Sequence, residues 1–559
     1  MRNTTVLAAF LLLSGTASLL AQTNIEGIGT ISGSLQTDMQ TYKRDSIIGA
    51  PNVPERLLSN SFFNLLFQRG KFTAGIRFES YQGPLLGIDP RYQTSGDGTG
   101  LGIPYRFATY DDTNFEVTAG NFYEQFGSGM ILRTYEERNL GFDNSIDGLR
   151  LRFKPVDGVK ITGLIGRQRS FWQKSEGIVR GGDLSVDIGA LADSLLPKSM
   201  VVLLGSSVMS RYQADQNDFL KLPENVLAWS SRLTFGYKDF NMVAEYAYKI
   251  NDPSAANVFN YNTGDALYVN ASYAIAGFGM NVAAKRIDNM DFRSDRTATG
   301  NVQTINYLPA LTRQHTWRLI TLYPYATQQT GEFGAQADVT WTIPKGVLGD
   351  DETVVSGNFS TIYALDTMHV DQFTYTAKFM PSNRQYYRDA NIEIQRKWGK
   401  DFKTTLAYID VFYDQDIIER RAAPTETKFG VTHAQLLVLE LQAKVAKGKQ
   451  LRMELQHMWS KPADNATQVA LLNGNWAMVL IEYSVSPLWY FTVFNEYNYG
   501  NQDENLKLNY PNASVAYSHD ALRVQLGYGR VRGGILCVGG ICRPVPASNG
   551  FSLGVTYTF

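Results

Sequence analysis

The chain has 559 residues, with 52 Lys and Arg against 53 Asp and Glu and a formal net charge of -1. This balance argues against nucleic acid as a partner, because binding to a polyanion needs an excess of basic residues. The mean hydropathy of -0.21 is too low for a bundle of membrane helices. Hydrophobic residues make up 44%, which excludes a mainly disordered chain, and the 31 Tyr, 30 Phe and 49 Gly are typical of strands and turns.

The first 21 residues predict a secretory signal peptide. Arg2 supplies the basic start, an apolar stretch follows, and Ala21 precedes the expected cleavage site. A membrane anchor is the alternative, but the apolar stretch is shorter than the ~20 residues that a spanning helix needs. We therefore expect residues 1–21 to be removed and residues 22–559 to form the exported domain.

A two-residue period of apolar side chains runs through the exported part of the chain. Residues 522–528, 451–459 and 437–445 show it clearly. In the last segment Ser, Gly and Thr alternate with the apolar residues Phe551, Leu553, Val555, Tyr557 and Phe559. This alternation predicts β-strands that have one apolar face and one face of small or polar residues.

Alternation alone fits both a soluble β-sandwich and a membrane β-barrel. Three features favour the barrel: the segments are about ten residues long, tight turns alternate with longer polar connections, and aromatic residues such as Trp489 and Tyr497 lie near strand ends. The predicted tight turns are residues 155–158, 238–239, 276–277, 399–401, 447–448 and 519–520. We predict an all-β fold, a single large antiparallel transmembrane β-barrel with an even number of about 18 to 26 strands, short periplasmic turns and long external loops.

The predicted barrel implies the outer membrane of a Gram-negative bacterium as its location. The terminal Phe559, in register with lipid-facing residues, resembles the C-terminal signal that the barrel assembly machinery recognises. Outer-membrane lipid and that machinery are the expected partners. Residues 22–40 already alternate, which leaves little chain for an N-terminal plug and disfavours a TonB-dependent receptor. A hatch formed by a long loop, for example residues 83–102 or 288–314, stays open.

Residues 127–152 carry dense charges of both signs. The alternation of Leu149, Leu151 and Phe153 with basic residues places Arg150 and Arg152 on the lumen face. The candidate lumen charge cluster consists of Arg133, Glu136, Glu137, Arg138, Asp143, Asp147, Arg150, Arg152, Arg167 and Arg169. One interpretation is a charged constriction that selects solutes or ties an inward loop to the wall. The other is an ion-pair network that braces a wide barrel and needs no ligand.

Cys537 and Cys542 are separated by four residues that include Gly539 and Gly540. In an exported chain this spacing favours a local disulfide that stiffens an external loop. A metal site would need more ligands than two cysteines provide, so no metal or other cofactor is expected.

Two stretches resemble a known family. These are residues 127–153, GSGMILRTYEERNLGFDNSIDGLRLRF, and residues 527–559, GYGRVRGGILCVGGICRPVPASNGFSLGVTYTF. They are similar to a family of large, functionally unassigned outer-membrane β-barrel proteins of Bacteroidota, over most of the exported chain. The resemblance implies the fold and the location, and it brings no substrate and no catalytic residue.

Catalysis is not expected. None of the five histidines lies in a motif typical of outer-membrane phospholipases or omptin-like proteases; they are His315, His369, His433, His457 and His519. Two classes of function stay open. The favoured one is a pore or transporter for an unknown solute, and the alternative is a scaffold or accessory barrel of an envelope secretion or assembly machine.

Overall fold

The computed structural model describes residues 23–25, 27–83, 85–86, 100–192, 195–298, 303–419, 427–463, 466–468 and 472–559. The predicted signal peptide lies outside these residues, so its cleavage stays a prediction. Most of the loop of residues 83–102 also lies outside them, and with it one of the two suggested hatches. No helix among the described residues is long and apolar enough to cross a membrane.

Period-two alternation gives a closed antiparallel barrel of 24 strands. Twelve strands form the first half of the ring: β1 (Gly29–Gln40), β2 (Leu58–Arg69), β3 (Phe72–Gln82), β4 (Leu101–Asp111), β5 (Phe115–Phe122), β6 (Ile146–Phe153), β7 (Val159–Ser170), β8 (Gln173–Asp187), β9 (Met200–Tyr212), β10 (Asn225–Tyr237), β11 (Phe240–Lys249) and β12 (Gly264–Ile275). The second half consists of β13 (Phe278–Asp288), β14 (Gly331–Ile343), β15 (Thr353–His369), β16 (Tyr375–Trp398), β17 (Phe402–Asp414), β18 (Val431–Ala446), β19 (Lys449–Pro462), β20 (Trp476–Val485), β21 (Trp489–Asn498), β22 (Asn509–His519), β23 (Leu522–Val531) and β24 (Ser548–Thr558).

Each strand pairs with the next along the chain, and β24 pairs with β1 to close the ring. The closing register runs from Ser34 opposite Thr558 to Gln40 opposite Ser552. A short strand, Thr23–Ile25, pairs with the start of β1 beside this seam. The predicted fold class and even strand number are confirmed.

One end of the barrel carries the short turns. All six predicted tight turns lie there, each joining two strands of an antiparallel hairpin. Gly277 and Gly448 adopt φ angles of 80° and 72° in two of these turns, a left-handed conformation that glycine reaches without a steric penalty. Most of the long connections lie at the opposite end.

The outer face of the barrel is apolar. Aliphatic side chains such as Leu149, Leu151 and Ile165 point outward and are exposed. Exposed aromatic residues cluster toward the short-turn end, at Phe72, Tyr110, Phe115, Phe153, Tyr237, Tyr273, Trp341, Trp398, Phe402, Trp489 and Phe491. A second set lies toward the long-loop end, at Trp229, Tyr246, Trp459, Tyr497, Tyr528 and Phe551. An apolar band between two aromatic girdles is the surface that a bilayer covers.

Connections between strands fill the interior. Ile48 and Ala50 of the β1–β2 connection belong to its apolar core, and three further connections enter it. The first inward segment is residues 123–145 between β5 and β6, and the second consists of the described residues 289–298 and 303–330 between β13 and β14. The disulfide hairpin, Gly534–Val538 paired with Ile541–Val545, lies between β23 and β24. The suggested hatch of residues 288–314 therefore corresponds to the start of the second inward segment.

Candidate functional site

The two inward segments are bonded to each other inside the barrel. The backbone N–H of Arg133 donates to the carbonyl oxygen of Ile305, and that of Tyr307 donates to the carbonyl of Gly129, both at 2.9 Å. The amide of Asn306 donates to the carbonyl of Met130 at 3.1 Å. These bonds satisfy backbone groups that neither segment satisfies alone, so the segments form one folded unit.

The first inward segment packs an apolar stretch into the lumen. Met130, Ile131 and Leu132 are fully buried. They belong to a cluster that also contains Phe292 and Ile305 of the second segment and, on the wall, Val179, Met209, Val226, Ala228, Ala247, Ala266 and Ile287. A wall that faces water would not carry this row of buried apolar residues, so here the inner surface is a protein core.

The second inward segment packs against the other side of the wall. Its residues Leu319, Ile320 and Leu322 are buried among wall residues of β17 to β22. In β18 the inward Leu436 and Val438 are buried, whereas the outward Leu437 and Leu439 are exposed. An apolar run on both faces of a strand indicates protein on one side and lipid on the other. This run was visible in the sequence and was the signal that the lumen is filled.

Contacts of the two segments extend around the ring. The first segment reaches Gln36 of β1, Arg77 of β3, Arg169 of β7 and Glu245 of β11. The second reaches Lys285 of β13, Asp389 of β16, Gln456 of β19 and Glu496 of β21. Together they span the lumen near the long-loop end.

Three carboxylates and three guanidinium groups fix the first segment to β1, β3 and β7. On the wall, Arg77 and Arg169 pair with Glu79 at 2.7 Å and 2.6 Å. Both arginines also pair with Asp143 of the segment, and Arg77 contacts Glu136 at 2.9 Å. All these side chains are largely or fully buried. The charges balance, which buried ion pairs require.

Arg138 completes this network. Its guanidinium pairs with Glu136 at 2.8 Å, donates to the amide oxygen of Gln36 at 2.7 Å, and lies 4.6 Å from the ring of Phe62. Burial raises the pKa of the Asp143 carboxyl, but Arg169 and Arg77 lower it by more, so the net pKa lies below the ordinary value. Asp143 is therefore ionised at neutral pH, and its charge holds the segment to the wall.

A second network lies at the start of the same segment. Arg150 pairs with Glu116 at 2.5 Å, and Arg152 pairs with Glu124 at 2.7 Å and with Glu116 at 3.2 Å. Arg150 also donates to the carbonyl of Tyr123 at 2.9 Å. Both arginines lie on the lumen side of β6, as their alternation with exposed leucines predicts. Two arginines thus pair with two carboxylates. This arrangement holds the segment to the wall and leaves no excess charge in the network.

Four residues of the predicted charge cluster lie elsewhere. Glu137 accepts a bond from the N–H of Asn139 and caps a short turn. Arg133 lies 4.0 Å from the ring centre of Tyr307. Asp147 shares the outer face of β6 and pairs with Lys174 at 2.5 Å. The placement of Asp147 and Arg167 with the lumen charges is therefore wrong: Asp147 faces outward from β6, and Arg167 is exposed on the outer face of β7.

Sequence reasoning missed four residues of these networks: Arg77, Glu79, Glu116 and Glu124. The pair Arg77 and Glu79 has a signal, because opposite charges two positions apart lie on the same face of a strand. Glu116 shows no such local pattern. It becomes recognisable only when the register places it opposite Arg152.

The disulfide hairpin packs against the second inward segment. Cys537 and Cys542 are bonded to each other and lie opposite in the hairpin register. The N–H of Thr327 donates to the carbonyl of Gly540 at 3.1 Å, and Gly539 approaches the ring of Tyr307. The bond was expected to stiffen an external loop; here it shapes a hairpin that contacts the interior.

Three solved structures resemble the chain at low sequence identity. The siderophore receptor PirA from Pseudomonas aeruginosa has 10% identity and a TM-score of 0.41 over 95% of this chain and 80% of that chain. The P pilus usher PapC translocation pore has 10% identity and a TM-score of 0.38 over 94% and 98%. The copper transporter OprC has 11% identity and a TM-score of 0.38 over 96% and 81%. Similarity at this level does not extend to activity.

A comparison with curated proteins finds no significant match. The model of one protein family, described as a family of unknown function, DUF6029, matches residues 1–559. The match spans the whole barrel together with both inward segments and the disulfide hairpin. The chain therefore belongs to the DUF6029 family.

Proposed function

We propose that the protein is an outer-membrane transporter whose lumen is closed at rest by its own inward segments. The observation that carries this proposal is the split character of the inner wall. Near the long-loop end the wall packs against the segments, whereas nearer the short turns it is polar, with Arg452 paired to Glu440 and Glu454. A polar chamber on one side of a folded segment that closes the lumen is the arrangement expected of a gated transport path.

The location in the outer membrane is supported by the outer surface. The strands, of 8 to 24 residues, are closed into a ring, so their backbone groups bond to neighbouring strands and the sheet has no open edge in the bilayer. The exposed apolar band and the two aromatic girdles match the hydrocarbon layer and its interfaces. The short turns are then periplasmic and the long loops external, as in bacterial barrels of this type.

The test is conductance in a planar bilayer. Wild-type protein is compared with a variant in which residues 303–327 are replaced by a Gly-Ser linker, both purified as folded full barrels. We expect brief, small current steps from the wild type and large, stable steps from the variant, because most of the second inward segment is gone. Heat-modifiable gel mobility establishes that each barrel is folded.

The matched control shortens an external loop instead. Replacing residues 215–221 by a Gly-Ser linker removes chain from the rim and leaves the interior intact, so its conductance should equal that of the wild type. If the interior variant folds and conducts no more than the wild type, the lumen is not a path and the transport proposal fails.

A scaffold function is the second candidate, and exposed loop residues favour it. Phe219 is 95% exposed and Val258 is 85% exposed. Their loops touch each other and the β15–β16 hairpin, since Tyr261 donates to the carbonyl of Lys221 and packs on Phe373. Such apolar tips suit a protein partner. Photo-crosslinking from position 219 in intact cells should then capture one defined protein, and capture of lipid alone would exclude this function.

A further inference from the structure

A cleft lies between the second inward segment and the disulfide hairpin. Its volume is about 490 Å³, and it is partly open to solvent. Pockets that hold small organic ligands have volumes of roughly 300 to 1,000 Å³. The cleft is therefore large enough for a molecule of one or two rings.

The floor and sides of the cleft are aromatic and aliphatic. Tyr307, Tyr325 and Tyr387 contribute rings, and the hairpin contributes Ile535 and Leu536. The rings of Tyr325 and Tyr387 lie 5.1 Å apart, centre to centre. The ring of Tyr307 is fixed from behind by the guanidinium of Arg133. Flat apolar surfaces held in place favour a ligand with a flat apolar body.

The charged groups that line the cleft are cations. Three arginines line it, Arg313, Arg318 and Arg532, and none of its described lining residues is Asp or Glu. Each arginine does pair with a carboxylate, but that carboxylate is more deeply buried. The side chain of Glu496 is 1% exposed, against 37% for Arg318 and 12% for Arg532. Glu393 is 14% exposed, against 30% for its partner Arg313.

The arginines are also held in position. Arg532 donates to the carbonyl of Arg318 at 3.0 Å and to the hydroxyl of Thr321 at 2.9 Å. Arg318 stacks over the ring of Phe494 at 4.0 Å, and Arg313 donates to the amide oxygen of Asn391 at 2.9 Å. A guanidinium that is fixed in advance loses little entropy when it binds an anion, and its fork matches a carboxylate.

We propose that this cleft binds an organic anion with a flat apolar body, such as an aromatic carboxylate. The apolar body lies against the tyrosines and the hairpin, and the anionic group faces the arginines. Binding requires no transport. A further role, as the first binding site of a transported solute, rests on the function proposed above. The ligand would then contact the second inward segment, which closes the lumen, and the disulfide hairpin packed against it.

The test is calorimetric titration of the full-length folded barrel in non-ionic detergent, with titration into detergent alone subtracted. Three probes of matched size are compared: 2-naphthoate, 2-naphthylmethanol and 2-naphthylmethylammonium. We expect saturable binding of 2-naphthoate, weaker binding of the alcohol and none of the ammonium ion. Equal binding of the ammonium ion, or no saturable binding of 2-naphthoate at millimolar concentration, overturns the proposal.

Variants localise the binding. Arg313→Gln and Arg318→Gln should each weaken the binding of 2-naphthoate about tenfold, because one charge-assisted hydrogen bond is lost. The binding of 2-naphthylmethanol should not change. Arg523→Gln, which changes an exposed arginine near the short-turn end, should leave all three titrations unchanged. If either cleft variant fails to fold, Leu536→Trp fills the space without altering charge and should reduce both 2-naphthoate and 2-naphthylmethanol binding.

The two proposals fail separately. If the full-length barrel binds 2-naphthoate selectively, and neither it nor the variant without residues 303–327 conducts, the cleft proposal stands and the transport proposal fails. If that variant conducts, and Arg313→Gln and Arg318→Gln in the full-length protein leave 2-naphthoate binding unchanged, the transport proposal stands and the cleft proposal fails.

Discussion

At the residue scale, the ionisation of Asp143 controls how the first inward segment is attached. Its carboxylate is shared by Arg77 and Arg169, which belong to two different strands of the wall. With the segment attached, the pKa lies below the ordinary 3.8, chiefly because these arginines outweigh burial. The charge therefore favours attachment at every pH above about 3.8, and this preference is lost as the pH falls through the lowered pKa.

We predict that conductance is constant from pH 7 to pH 5 and rises only below pH 3.8, as Asp143 gains a proton and the segment is released. Asp143→Asn should raise conductance already at pH 7, since removing one partner of a buried pair costs about 3 kcal/mol or more. Its response to acid should be smaller than that of the wild type, because the Asp143 carboxyl is no longer there to gain a proton.

Asp112→Asn is the matched control. Asp112 also has a lowered pKa, because it accepts a hydrogen bond from Lys71, but it lies in a turn at the opposite end of the barrel. Its loss should change neither the conductance at pH 7 nor the acid response. Equal effects of the two substitutions would show that acid acts on the barrel as a whole.

The sequence predicts the face of a residue only where a strand is regular. Arg150 and Arg152 were placed on the lumen side because β6 alternates without interruption. Arg167 and Arg169 have the same spacing, yet the first is exposed and the second is buried. The pairing of β7 with β8 shifts register between them, and one irregularity of this kind reverses the face of all residues beyond it.

At the element scale, three of the loops that fill the interior contact one another. The disulfide hairpin is the smallest of them, and its contacts with Thr327 and Tyr325 connect the β23–β24 loop to the second inward segment. Cross-linking across so short a loop removes conformational freedom from the open hairpin and stabilises the closed one by about 2 kcal/mol.

We predict that Cys537→Ser with Cys542→Ser weakens this contact, so that trypsin cleaves faster after Arg532, at the base of the hairpin, and current steps become more frequent. Treating the wild type with a reductant should have the same effect, whereas the double variant should not respond to the reductant. Unchanged protection in the reduced wild type would show that backbone pairing between Gly534 and Val545 holds the hairpin without the bond.

Turns were predictable and the direction of loops was not. Residues 238–239 and 447–448 contain turn-forming residues between two alternating runs, so local chemistry places them at hairpins. Residues 289–330 carry no periodicity that distinguishes a loop in water from one packed inside a barrel. The evidence for their position lies in other parts of the chain, in the doubly apolar wall at Leu436 to Leu439.

At the scale of the whole molecule, the ring is closed by the two strands that lie farthest apart in sequence. Phe559 and Gly33 exchange two backbone hydrogen bonds of 2.9 Å, and the ring of Phe559 stacks on Phe63 at 6.2 Å. The residue predicted to be an assembly signal thus also contacts β1 and β2. The contacts lie at the seam where the ring closes, and the assembly signal stays a prediction.

We predict that Phe559→Ala slows folding into lipid vesicles and lowers the fraction of heat-modifiable barrel, because the stacking lost at the seam contributes about 1 kcal/mol. Phe551→Ala is the control, since it removes an exposed aromatic from the other end of the same strand. If the two variants fold at equal rates, closure of the ring does not depend on this aromatic contact.

The covalent attachment of the inward segments to neighbouring strands has a kinetic consequence. A segment attached in this way cannot dissociate from the protein when the lumen opens, and its return to the wall is an intramolecular step. The effective concentration of a short tethered element is in the millimolar range, whatever the abundance of the protein in the membrane. Reclosing is then spontaneous and independent of any second molecule, so an external ligand or partner is needed to prolong an opening and never to end one.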